Sequence, residues 1–418
     1  MKIRAAILDA MQRPRPYAGS RPVSIESVIL DSPGPGEVLV KIAAAGLCHS
    51  DLSIINGDRP RPMPMALGHE AAGVVEELGP GVTGLARGDH VALIFVPSCG
   101  HCAPCMEGRP ALCEPGAAAN GAGTLVGGGR RLHRADGSTL NHQVGVSCFA
   151  EYAVVARGSL VKIDPELPLD IAALFGCAVL TGVGAAINAA QVRLGASVAV
   201  VGLGGVGLSA LLGARAAGAR QIVAVDAQDA KLELALSLGA THAFRADDPD
   251  LVARIKEVTG GGVEAAIEAA SSVEALDSAY RITRRGGTTV TCSLPNPAHS
   301  FNLQAVNLVA EERTLKGSYL GSGVPARDIP HFIALHRAGK LPVEKLVSHR
   351  IGLDEINLGF DRLADGSAVR QVIIFSARNC RWVPSPSDNY GHLCRTAAWC
   401  LCCEVVRHLC REVGTSGH

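Results

Sequence analysis

Val198-Ala-Val-Val-Gly-Leu-Gly-Gly-Val-Gly-Leu208, closed by Ile222-Val-Ala-Val-Asp226, is the stretch whose reading decides the fold. Val198 to Val201 form a short β-branched run of the kind that becomes a buried parallel strand. Gly202, Gly204 and Gly207 then spell G-x-G-x-x-G, and Leu208 to Ala217 continue as an Ala- and Leu-rich helix. The first glycine permits a tight turn and the second lets backbone approach a pyrophosphate. The third lets the helix lie close on its strand. A diphosphate would sit on free N–H groups at the positive end of that helix, in the turn that includes Gly205 and Val206. Ile222 to Val225 read as the next strand, and Asp226 follows nineteen residues after Gly207. A carboxylate there holds both hydroxyls of an adenosine ribose and repels a 2′-phosphate, so the expected dinucleotide is NAD.

At 418 residues the chain is long enough for two or three domains, each with its own core. Lys+Arg and Asp+Glu both number 39, so no global field favours nucleic acid or an anionic membrane as a partner. Met1 to Tyr17 carries no apolar core followed by a small-residue cleavage site, so no secretory signal is read and the expected location is the cytoplasm. Ile171 to Val192 is uncharged and long enough to span a bilayer, but Gly176, Gly182, Gly184, Thr181 and Asn188 interrupt it. It is read as a buried interdomain helix. The fourteen cysteines are clustered by spacing in a large chain without a signal, which points to metal rather than disulfides.

Residues 1 to 45 are β-rich and turn-rich, with strand-like Ala5 to Leu8 and Val38 to Ile42. Gly-Leu-Cys48-His-Ser-Asp51 follows, then Leu-Gly-His69-Glu70. A soft thiolate and an imidazole suit zinc, and Cys177 in Phe-Gly-Cys-Ala is the candidate third ligand. Three protein ligands leave the fourth position open, the arrangement of catalytic zinc. Cys99, Cys102, Cys105 and Cys113 give C-x2-C-x2-C-x7-C, a loop able to close around one structural zinc. A redox pair would not need four cysteines.

Glu114 to Val146, rich in Gly and Ala, is read as a long surface excursion. Strand-like segments return at Tyr152 to Val155 and Leu160 to Ile163. Beyond Gly184, strands at Val198, Ile222, Ala243, Ala265 to Ala269 and Thr288 to Cys292 alternate with helices at Ala230 to Leu238 and Asp250 to Val258. That βαβ series predicts a doubly wound parallel sheet. Leu315 to Tyr319 is read as its last strand and Arg327 to Ala338 as a helix. The apolar run Gln371 to Phe375 would return to the first domain. Asn379 to His418 holds six of the cysteines and both tryptophans with no clear period, and reads as an extension such as a shifted frame would produce. An accessory metal site at Cys400, Cys402 and Cys403 stays open as the other reading.

Together these motifs resemble the zinc-dependent medium-chain alcohol dehydrogenases over roughly residues 1 to 376. The long segment between Cys113 and Cys148 resembles the long-loop branch, which includes aryl-alcohol and glutathione-dependent formaldehyde dehydrogenases. The resemblance implies an α/β chain. A GroES-like β-rich catalytic domain with the structural zinc lobe would span 1–178, and a Rossmann cofactor domain 179–318. A return to the catalytic domain would span 319–378, followed by the extension 379–418. It also implies two zinc ions per chain, the catalytic one on Cys48, His69 and Cys177. Ser50 would contact the substrate oxygen and start the proton relay, Asp51 would orient His69, and Glu70 would sit behind the metal. His49 and Arg370 would meet the cofactor diphosphate, Asp226 and Lys231 the adenosine ribose, and Phe95 the alcohol.

Many relatives place a His three residues after the Ser, where it passes the proton to solvent. Here Ser53 stands instead, so water, another group or the nicotinamide ribose ends the relay. The expected reaction is reversible oxidation of primary alcohols, aryl or medium-chain ones included, to aldehydes with NAD. One rival is a thiol-adduct formaldehyde dehydrogenase, with Arg130, Arg131 and Arg134 as its anion pocket. Another is a zinc-free quinone oxidoreductase, which the trio Cys48, His69 and Cys177 opposes. A nucleic-acid-binding zinc protein is disfavoured by the balanced charge. The resemblance implies a homodimer or homotetramer, joined through cofactor-domain edge strands near Leu294 to Leu308.

Overall fold

The computed structural model describes residues 1–375, so the expectations for Asn379 to His418 lie outside the described residues. The fold begins with the run Ser197–Val201, the third strand of a six-stranded, all-parallel sheet. Across the sheet the strands are His242–Arg245, Gln221–Asp226, Ser197–Val201, Val263–Glu268, Thr283–Thr291 and Thr314–Gly317. In chain order this is 3-2-1-4-5-6, so the winding reverses between Ser197–Val201 and Val263–Glu268, where α/β sheets open a crevice for ligand. Val198, Val200, Ile222 and Ala224 pack on one face, and Ala199, Val201, Val223 and Val225 on the other. Burial on both sides explains why these strands read as unbroken apolar runs.

The rest of the described chain is β-rich. A seven-stranded sheet runs Leu160–Lys162, His90–Leu93, Ala71–Leu78, Glu37–Leu47, Arg370–Ile374, Val347–Ile351, with Tyr152–Ala156 also pairing Glu37–Leu47. Gln371 to Ile374 pair antiparallel with Ala44 to Leu47, which brings the last described strand back beside the first half of the chain. A five-stranded sheet joins Leu132–His133, Val23–Leu30, Lys2–Leu8, Met65–Ala66 and Asn141–His142.

Four details differ from the sequence reading. The helix after the glycine turn runs Gly205–Ala216, beginning before Leu208; within its first turn Gly205 packs against the Arg370 side chain and Gly207 against the Gly202 carbonyl, where no side chain fits. The apolar stretch near Ile171 to Val192 is not one helix: Leu169–Gly176 and Ala178–Ala189 meet at 52°, and the break falls on Cys177. Among the described residues no single helix is long and apolar enough to cross a membrane. Glu114 to Val146 is more than a surface excursion. It holds a helix, Glu114–Ala122, and two strands of the five-stranded sheet, and it buries Leu125, Leu132, Leu140 and Val146. Those apolar residues are spaced among glycines with no period to betray them. Residues 294–308 form no edge strand; they are irregular up to the short helix Ala305–Ala310, and Thr314–Gly317 is the edge.

Phe149 and Phe360 are fully buried and pack at 6.4 Å, joining the irregular segment that hydrogen-bonds to Leu67, near His69, to the helix Ile356–Ala364. Phe360→Ala is expected to cost about 3–5 kcal/mol in urea unfolding. A loss under about 1 kcal/mol would show that this contact does not tie the two segments.

Candidate active site

The glycine turn lines an open cleft together with Asp226, Lys231, Ala269 to Ser271, Cys292 to Leu294 and Arg370. Gly202 has φ +91°, and a Cβ there would strike Ala270 backbone. A Cβ on Gly207 would lie 1.7 Å from the Gly202 carbonyl, so the helix can approach its strand only with glycine. At Gly204 a Cβ would meet no protein atom and would jut into the cleft, leaving a cradle that fits a pyrophosphate. Asp226 accepts N–H bonds from Leu203 (2.7 Å) and Gln228 (3.0 Å), which fixes its carboxylate at the cleft edge.

The same cleft reaches Cys48, His49, Ser50 and Ser53. Cys48 caps the helix His49–Ile55, and its backbone N–H donates to Asp51 (3.0 Å). His69 follows Gly68, whose φ of +104° and contact with Phe149 backbone exclude any Cβ. Cys177 sits at the kink, outside helical geometry at φ −137°. Three separate devices, a helix cap, a glycine turn and a helix break, therefore deliver three donors. With Glu70, their ligand atoms all lie within 4.8 Å of one another and all four residues are buried.

Asp51 is fully buried, and its carboxylate meets His69 Nδ1 at 2.6 Å, turning Nε2 toward Cys177 Sγ at 3.5 Å. Burial opposes a charged His69, but the Asp51 charge and hydrogen bond outweigh it and hold the pKa well above the ordinary value. Cys48 is held well below the usual thiol range, first by a hydrogen bond from Cys177. Glu70 forms a buried ion pair with Arg370, yet neither Glu70 oxygen receives a well-aligned hydrogen bond. Burial pushes its carboxyl up while the Arg370 charge pulls against it. Soft thiol and imidazole donors around orphaned carboxylate oxygens fit a zinc ion. Arg370 also packs its Cδ where a Gly205 side chain would be, so it spans the donor cluster and the glycine turn.

His49 lines the cleft. Its pKa is lowered, first by withdrawal from water and then by the Lys231 and Arg370 charges, against the opposing pull of Cys48. Ser53 donates its hydroxyl to the His49 carbonyl at 2.9 Å. Phe95 lies edge-on to His69 at 5.4 Å and to Tyr319 at 5.9 Å, forming an aromatic wall. Tyr319 lines a second cleft with Arg109, Leu112 and Ser318, which adjoins the first along Cys292 to Leu294.

Cys99, Cys102, Cys105 and Cys113 form a second cluster with all four sulfurs within 4.8 Å. N–H groups of His101 and Cys102 point at Cys99 Sγ and lower its pKa to about 6, His101 first. Burial pushes Cys105 up to about 12. Four converging sulfurs fit a closed tetrahedral metal site.

Arg130, Arg131 and Arg134 form no anion pocket. Arg131 is taken by Glu37, Arg134 by Glu26 and Asp9, and Arg130 by Asn141 and the Ala122 carbonyl. Two other residues escaped the sequence reading. Gln143 donates to Asp51 (2.7 Å) and accepts from Gly68 N–H, bracing the residue that orients His69. Glu268, 1% exposed, accepts from the N–H groups of Ala270 (2.6 Å) and Ser271 (2.9 Å) and the hydroxyls of Thr291 (2.6 Å) and Ser293 (2.7 Å). It clamps two walls of the cofactor cleft. Gln143 lies in an aperiodic loop and carries no motif; Glu268 is marked only as a charge ending an apolar strand.

Residues 34–165 match the alcohol dehydrogenase GroES-like domain, and residues 205–337 match the zinc-binding dehydrogenase family. A putative alcohol dehydrogenase D of Mycobacterium tuberculosis is 41% identical over 90% of this chain and 100% of its own. An NDMA-dependent alcohol dehydrogenase of Amycolatopsis methanolica is 40% identical over 90% of this chain and 100% of its own. The benzyl alcohol dehydrogenase structure from Acinetobacter calcoaceticus superposes with a TM-score of 0.83 at 34% identity, covering 90% of this chain and all of that one.

Asp51→Asn keeps the shape but weakens the partner of His69. Metal retention at Cys48, His69 and Cys177 is expected to fall about 10–100-fold in competition with a chelator. Retention equal to wild type would remove Asp51 from the site.

Proposed function

Because the chain belongs to the zinc-dependent medium-chain alcohol dehydrogenases and is an oxidoreductase acting on alcohols, we propose that it oxidises primary alcohols, aryl ones included, with NAD. We further propose two zinc ions per chain, one on Cys48, His69 and Cys177 and one on the four-cysteine lobe. The observation that carries this reading is a single cleft lined by Cys48, Ser50, the glycine turn and Asp226. When bound, zinc supplies Lewis-acid stabilisation of a deprotonated alcohol and NAD supplies the hydride acceptor.

The protein supplies the placement. Asp51, braced by Gln143, keeps a proton on His69 Nδ1 and leaves Nε2 free for metal. Ser50, beside Cys48 in the cleft wall, takes up the hydroxyl proton and passes it on. Ser53 has committed its own proton to the His49 carbonyl, so the outward route runs through solvent or the cofactor ribose. Asp226 supports NAD over a 2′-phosphorylated cofactor. Phe95 and Tyr319 offer aromatic edges to a flat ring, in line with the likeness to a benzyl alcohol dehydrogenase. The thiol clusters need reducing surroundings, which supports a cytoplasmic location.

A second reading rests on the relative named an NDMA-dependent alcohol dehydrogenase: turnover by this chain would then depend on NDMA. Purified protein with benzyl alcohol and NAD should produce NADH, faster than with hexanol. Turnover that appears only when NDMA is added would favour the second reading, and none under either condition would contradict alcohol oxidation.

The proposed homo-oligomer would use the open edge Thr314–Gly317 and the exposed side chains of Leu294 (46%), Val306 (67%) and Val309 (82%). Sedimentation should show a dimer or tetramer for wild type and a monomer for the double variant Val306→Asp, Val309→Asp. An unchanged mass would place the interface elsewhere.

A further inference from the structure

Arg59 is a half-buried cation in the cleft that holds Cys48 and Ser50. A guanidinium has five N–H donors. Arg59 uses one of its side-chain nitrogens, donating to the Leu294 carbonyl at 2.8 Å. Among the described residues no carboxylate stands within ion-pair distance of Arg59, Arg61 or Arg109. Asp58, its chain neighbour, turns its carboxylate to Asn56 (2.7 Å) and Asn296 (3.1 Å) instead. Elsewhere the protein neutralises its inward arginines: Arg370 by Glu70, Arg131 by Glu37, Arg134 by Glu26. An unpaired charge withdrawn from water is costly, and its persistence beside reacting groups points to a ligand that completes it.

Position says which ligand. Leu294, the Arg59 acceptor, lines both the cofactor cleft and the adjoining cleft of Tyr319 and Arg109. Tyr319 meets Phe95 edge-on, and Phe95 meets His69 edge-on, while Arg59 lines the same cleft as Cys48 and Ser50. The charges of Arg59 and Arg61 both act on the Tyr319 phenol, whose pKa is nonetheless raised, first by burial. Arg59 thus shares its cleft with Ser50, and Arg109 lines the cleft that adjoins it.

We propose that Arg59, supported at the rim by Arg61 and Arg109, selects alcohols bearing an anionic group, a carboxylate above all, at the end remote from the hydroxyl. This rests on the reading of the site as an alcohol-oxidising one. The hydroxyl points inward to Ser50, the body lies along Phe95 and Tyr319, and the anion meets the uncommitted Arg59 nitrogens. A thiol adduct of formaldehyde with glutathione presents the same chemistry, with carboxylates distal to a hydroxymethyl group.

The test compares para-hydroxymethyl benzoate, benzyl alcohol and formaldehyde plus glutathione as substrates of wild type, Arg59→Gln and Arg59→Lys. Wild type should favour the benzoate over benzyl alcohol in kcat/KM by about 10-fold or more. Arg59→Gln should abolish that preference through KM, Arg59→Lys should restore part of it, and added salt should weaken it. KM for NAD and rates with benzyl alcohol should stay within about 3-fold, with an unchanged melting profile. A wild type indifferent to the carboxylate, a preference that survives Arg59→Gln, or a raised KM for NAD instead would overturn the assignment. If the glutathione adduct alone responds to Arg59, the anion comes from the thiol. Calorimetric titration with para-hydroxymethyl benzoate reads the contact without turnover. Binding that depends on Arg59 in a protein that oxidises neither alcohol would sink the activity and leave the anion site standing.

Discussion

Two thiols and an imidazole from three distant stretches are forced together in a buried space, and the rest of the structure is arranged around that constraint. Such donors repel one another as they lose protons and are poorly solvated, so only a cation between them makes the arrangement stable. The neighbourhood is built accordingly. Asp51 and Gln143 fix the imidazole, and the Arg370–Glu70 pair closes the far side. Each donor is delivered by a local departure from regular structure, a cap, a left-handed glycine or a helix break, because a regular element would point it elsewhere.

The cofactor cleft depends on the same geometry from the other side. Arg370 begins the strand that returns into the seven-stranded sheet and presses against Gly205, so the glycine turn and the donor cluster share one side chain. Glu268 ties the loop at Ala270 and Ser271 to Ser293, beside the switch point. Ser271 is held there at φ +60°, a conformation an isolated serine seldom adopts. Hydride transfer demands alignment to a fraction of an ångström, and these cross-links are the means by which a cleft between two sheets keeps it.

Much of this was legible in the sequence, for physical reasons. The parallel sheet showed itself because strands buried on both faces must be continuously apolar. The glycine turn showed itself because only glycine fits Gly202 and Gly207. Sulfur spacing exposed the four-cysteine lobe. Other features left no pattern. Leu125, Leu132 and Leu140 are core residues of an irregular segment, so Glu114 to Val146 looked like surface. Ile171 to Val192 reads as one buried helix although Gly176 interrupts it; the bend falls beside that glycine, where the Leu93 carbonyl leaves no room for a side chain. Arg130, Arg131 and Arg134 looked like an anion pocket because sequence hides their carboxylate partners. The cations that do lack partners, Arg59 among them, carry no motif.

The central claim is that Cys48, His69 and Cys177 form a metal centre distinct from the four-cysteine lobe and required for alcohol oxidation. Zinc content per chain, measured on wild type and Cys48→Ser beside the rate of benzyl alcohol oxidation, tests it most directly. The account predicts about two zinc ions falling to about one, with activity lost and the fold retained through the lobe. Equal zinc in both proteins, or activity that survives the substitution, would contradict it.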